Sequence, residues 1–222
     1  MQQGLWFLWV LSAGVSGGVW LYSEISRAEN RGRETRRLIT GCELARQILD
    51  RHRFHRTSVH PVSKKEGGER GLLGDRLLLP EGAYYGNRLL DLAQTLHDAV
   101  GHLESSRSLL PAGLRTRRRW VFGGGLLVSW GLVLGGFLWD QGSGLMSAGQ
   151  FLFLLFFLLA LSSLGKEWEV AERAISEMGG IELGTDERIR MKRILKAIRW
   201  APLAEMFRAP LGLLISLWPV ET

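Results

Sequence analysis

Three long apolar runs, residues 5–22, 121–139 and 150–164, constrain this chain more than any other feature. The first carries no charge, and as a helix rising 1.5 Å per residue it reaches about 27 Å, close to the hydrocarbon thickness of a bilayer. A soluble domain spreads its apolar residues in short amphipathic runs; blocks of this length predict membrane spans. No Lys or Arg precedes the first block and no small-x-small site follows it. Trp20 and Tyr22 stand where interfacial aromatics anchor a span. These features predict an uncleaved anchor rather than a signal peptide.

The second and third blocks are separated only by a Gly- and Ser-containing stretch at 140–149, so they predict a transmembrane hairpin. Gly131 and Gly135, four residues apart in the second block, have the spacing that lets helices approach closely. A fourth block, 201–220, is interrupted by Pro202, Glu205, Arg208 and Pro210. Such residues are costly in hydrocarbon unless buried against protein, so this block is either a span or a re-entrant helix.

Charge sets the expected orientation. Arg27, Arg31, Arg33, Arg36 and Arg37 follow the first block, and Arg115, Arg117, Arg118 and Arg119 precede the second, whereas 140–149 has no Lys or Arg. The positive-inside rule then places residues 23–119 and the Lys- and Arg-rich segment 166–199 in the cytoplasm, with the amino terminus outside. The net charge of +6 is concentrated beside the spans, where topology and anionic headgroups account for it, and no nucleic-acid recognition motif accompanies it. Nucleic acid is therefore not an expected partner. A single cysteine, Cys42, excludes an intrachain disulfide and a Cys-based zinc cage, and reads as a small buried helix residue.

Between the first two spans, 26–37 reads as a charged helical connector. Thr40-Gly41-Cys42-Glu43 has the form of a capping box ahead of a helix whose apolar face holds Leu44, Ile48 and Leu49. Residues 51–70 read as exposed connecting chain around a short strand at 58–62, with His52, His55 and His60 solvated there. A second short strand at 76–79 leads into a turn, and a long helix starts near Leu89. After the hairpin, Gly179-Gly180 breaks a helix and 186–200 forms an amphipathic one with Met191, Ile194, Leu195 and Ile198 inward.

The chemistry-bearing stretch is His97-Asp98-Ala99-Val100-Gly101-His102. In a zinc-peptidase helix, His-Glu-x-x-His puts both imidazoles on one face at i and i+4, while the Glu activates the metal-bound water. Here the histidines stand at i and i+5, roughly 140° apart on a regular helix. The plain alternative is two polar residues on a half-buried helix, with Asp98 at i, i+4 from His102.

Four stretches in order, Thr-Gly-Cys-Glu-Leu-Ala-Arg-Gln-Ile-Leu at 40–49, Leu-Leu-Pro-Glu-Gly-Ala-Tyr-Tyr-Gly at 78–86, the His97–His102 hexapeptide, and Glu-Trp-Glu-Val-Ala-Glu-Arg-Ala at 167–174, resemble the successive motifs of the bacterial neutral zinc metallopeptidases of the YugP-like membrane family. The resemblance implies a multi-pass protein of the bacterial cytoplasmic membrane that binds zinc and hydrolyses peptides or membrane proteins at the cytoplasmic face. It implies His97, His102 and Glu167 as zinc ligands and Asp98 as the catalytic base. This chain departs from the family in three places. Asp98 replaces Glu, one extra residue separates the histidines, and 64–74 lacks a Thr-Asp-His-Tyr-Asp type stretch. A single π-bulge would absorb the extra residue and make i and i+5 co-facial; without it, Gly101 occupies the second ligand's place.

The expected fold is an all-α membrane protein with a small β insert. Its parts are an anchor (1–22), a cytoplasmic peptidase-like domain (23–118), a transmembrane hairpin (119–165), cytoplasmic helices (166–200) and a membrane-associated C-terminal helix (201–222). The expected function is a membrane-bound zinc metallopeptidase or a non-catalytic pseudopeptidase that binds membrane proteins. A third reading is a membrane scaffold whose basic face binds anionic lipid.

Overall fold

The computed structural model describes residues 2–30, 32–35, 39–62, 71–73, 76–107, 113–139 and 143–208. The chain is predominantly helical. Helices α1 (Gln2–Asn30), α2 (Gly41–Arg51), α3 (Glu81–Tyr85), α4 (Leu89–Arg107), α5 (Gly113–Leu138), α6 (Ser143–Glu177) and α7 (Thr185–Ile198) are joined by strands β1 (Ser58–Val62), β2 (Gly71–Leu73) and β3 (Arg76–Pro80). Residues 201–208 are also helical, while the remainder of the fourth apolar block lies outside the described residues. The chain divides into two compact units, one of residues 1–23, 117–165 and 200–222 and the other of residues 24–116 and 166–199.

The second unit is built around α4, which packs against α2 and α7. Leu92, Leu96, Val100 and Leu103 recur at helical spacing, and all are buried. α2 contributes Leu44, Ile48 and Leu49, α6 contributes Val170 and Ala174, and α7 contributes Met191, Ile194 and Leu195. The expected capping box starts α2. The Glu43 backbone N–H donates to Thr40 Oγ1 at 3.3 Å, and the Thr40 N–H donates to the Glu43 carboxylate at 2.8 Å. Such a cap contributes about 1 kcal/mol to a helix. The position after it tolerates no side chain, because a Cβ on Gly41 would stand 2.0 Å from the Ala83 carbonyl oxygen.

The β insert is a three-stranded sheet of order β1-β3-β2, parallel between β1 and β3 and antiparallel between β2 and β3. Pro61 stands on the edge strand β1, the place in a sheet where a residue without an N–H is tolerated. On the central strand Leu77 and Leu79 are buried, as the two-residue period requires.

Several sequence expectations need correction here. The connector at 26–37 is no separate helix: α1 runs unbroken to Asn30, and Glu34 then pairs by a β-bridge with Arg88. The turn expected after 76–79 is the short helix α3. β2 was not expected at all. Cys42 is half-buried rather than buried.

In the first unit, α1 and α6 are long and apolar enough to cross a membrane by length and composition, and the apolar stretch Gly124–Leu138 of α5 is shorter. α5 and α6 pair antiparallel, since partners on one helix rise as those on the other fall. Gly125 lies against Phe156, while Ser129 and Val133 lie against Gly149, and Ser129 donates to the Gly149 carbonyl at 2.9 Å. The close approach therefore falls at Gly125 and Gly149. Gly131 and Gly135, whose spacing suggested it, face open space. Trp9 of α1 packs edge-on to Trp130 and Phe153, and a Cβ on Gly17 would stand 3.5 Å from the Phe207 ring.

Candidate active site and its family

Helix α4 is buried on almost every side, so its polar residues reach only what neighbouring elements bring to them. α6 brings Glu167. The His97 Nε2 atom stands 3.3 Å from Glu167 Oε2, and its Nδ1 stands 4.0 Å from Asp98 Oδ1. The Nε2 contact has the distance of an ion pair without the alignment of a hydrogen bond. The imidazole side chain is 13% exposed. Burial disfavours the imidazolium, but the Asp98 and Glu167 carboxylates outweigh it and raise the His97 pKa to about 9. Seven residues further along α4, Glu104 pairs with Arg173 of α6. The offset between partners is nearly the same in both pairs, so the two helices run side by side in the same direction.

His102 goes elsewhere. It is buried, its Nε2 lies 3.1 Å from Thr57 Oγ1, and its ring meets Phe54 edge-on at 6.0 Å between centroids. α4 is regular α-helix throughout, without a π-bulge. The residue one turn on from His97 is Gly101. Of the four candidate residues, the fold thus brings His97, Asp98 and Glu167 together and leaves His102 at the segment entering β1.

Residues 5–218, nearly the whole chain, match the family described as Putative neutral zinc metallopeptidase. The chain belongs to that family. No curated protein and no solved structure matches it.

Family membership raises zinc as a cofactor, and the donors here can be tested against it. Zinc needs three protein ligands converging at about 2.0–2.2 Å on one point. With His102 turned to Thr57, only one imidazole faces Glu167. Among the described residues no group of three His, Cys, Asp or Glu side chains is placed to hold a metal ion. In this arrangement the residues do not fit the metal.

Sequence reasoning missed the partners around the site. Thr57 and Phe54 have no motif. His52, read as solvated, caps α2 and holds Glu177 at 2.7 Å, while Arg51 reaches the same carboxylate at 3.1 Å and the Gly180 carbonyl at 3.0 Å. His55 pairs with Asp50 at 3.1 Å and remains largely exposed, closer to the expectation. Arg173 pairs across to Glu104, and Glu172 turns to Arg199 at 3.7 Å. The Arg199 guanidinium also stacks 3.8 Å over the Trp168 ring.

Proposed function

We propose that this chain is a membrane-embedded, non-catalytic member of its metallopeptidase family, a pseudopeptidase that binds or presents membrane proteins at the cytoplasmic face. One observation carries the reading: the second imidazole of the expected zinc pair is buried against Thr57 and Phe54 on a regular helix. What remains is a histidine held between the Asp98 and Glu167 carboxylates, which favour its protonated form. Asp98 adds to the difficulty of catalysis, because a base one methylene shorter than Glu is displaced by about 1 Å, enough to cost roughly 100-fold in rate.

A second reading keeps a specific observation on its side. His97, Asp98 and Glu167 converge, so an active zinc peptidase requires only that α4 gain a π-bulge between Asp98 and His102 and that His102 leave Thr57. Metal content separates the two. Chain purified from membranes without chelator is expected to contain well under one zinc per chain, unchanged by His97→Ala, and to leave peptide substrates intact. Stoichiometric zinc that His97→Ala or His102→Ala removes would overturn the pseudopeptidase reading.

A further inference from the structure

The outer face of α7 is not explained by either reading. At about 100° per residue, Ile189, Lys192, Arg193 and Lys196 share an arc of roughly 100°, opposite the face that Met191, Ile194 and Leu195 bury in the core. The three cations are exposed and make no ion pair with any described residue. Of the nearest carboxylates of the helix, Asp186, at the edge of this face one turn before Ile189, holds Arg190 at 2.8 Å, and Glu187 accepts from the Gly184 N–H at 3.0 Å. At the N-terminal end of this face sits Ile189, 56% exposed. The positive-inside rule accounts for the side of the membrane on which these Lys and Arg lie, and it leaves open what their shared face meets. Three exposed cations bordering one exposed apolar side chain make a face that can sit against anionic headgroups.

Chain connectivity gives the same answer. α7 ends at Ile198, and Trp200 begins the last stretch of the unit that contains α1 and the hairpin. Lys196, the last cation of this face, precedes that stretch by four residues.

We propose that the Ile189–Lys192–Arg193–Lys196 face of α7 docks on anionic lipid headgroups, the phosphates pairing with the three cations while Ile189 enters the acyl boundary. This rests on the reading of the first unit as membrane-embedded. Each cation near an anionic surface raises occupancy about five-fold, so three together raise it about a hundred-fold.

The test uses the full chain in nanodiscs with an environment-sensitive fluorophore at residue 189, introduced by Ile189→Cys in a Cys42→Ser background. Discs of phosphatidylcholine alone are compared with discs containing 30% phosphatidylglycerol. The emission is expected to shift to the blue only with the anionic lipid. Roughly 1 M salt, or the charge reversals Lys192→Glu, Arg193→Glu and Lys196→Glu together, should abolish the shift. These positions are exposed, so helix content and unfolding should be unchanged. Equal emission in the two lipids overturns the proposal, as does a shift produced in phosphatidylcholine discs by inorganic phosphate or by an oligonucleotide. Failure of the membrane reading is separately visible: carbonate washing would then release the chain from membranes.

Discussion

At the scale of single residues, the His97 contacts make a prediction with a definite sign. Its folded-state pKa of about 9 lies above the ordinary value of 6.5. The stabilisation it gives is therefore fully present below about pH 6.5 and is lost as pH rises through about 9. The gap in unfolding free energy between the natural chain and His97→Gln, measured by denaturant titration in detergent, should be on the order of 3 kcal/mol at pH 6 and shrink steadily toward pH 10. A gap that grows with pH would mean that the imidazole is held neutral. The residues differ in how legible they were. Thr40 and Glu43 lie three apart, and a local motif states its own geometry. The partner of His102 is 45 residues away, on a segment with no motif, so only the fold could reveal it.

Among the elements, the helical hairpin allows a paired comparison. A Cβ on Gly149 would sit 2.8 Å from the Ser129 carbonyl oxygen and the Val133 backbone nitrogen, which cannot swing aside, whereas a Cβ on Gly131 meets nothing within 4 Å. Gly149→Ala should therefore destabilise the α5–α6 pair by about 1–3 kcal/mol, while Gly131→Ala should be neutral or slightly stabilising. Thermal unfolding of the two variants in the same detergent checks this, and equal midpoints would overturn it. Glycine spacing pointed to Gly131 and Gly135 because spacing reports a face, not which face is covered. The longer elements were readable from periodicity and apolar length. β2, three residues long, depends for its form on pairing with β3 and carries no pattern of its own.

For the whole molecule, the distribution of Lys and Arg predicts that residues 23–119 and 166–199 occupy the same cytoplasmic compartment. Compartment reporters fused at Lys65 and at Gly180 should give matching signals; opposite signals would rule out the transmembrane hairpin. The core of the second unit has a further consequence, which concerns synthesis rather than stability. α2 and α4 leave the ribosome well before Val170, Ala174, Met191, Ile194 and Leu195, the residues that cover them. At about 5–20 residues per second, the apolar face of α4 waits on the order of ten seconds for its cover, and the hairpin must be made within that interval. A newly made chain stalled in the hairpin therefore displays a greasy, half-built domain, and this is the point in its life at which chaperones and quality-control proteases should find it most easily.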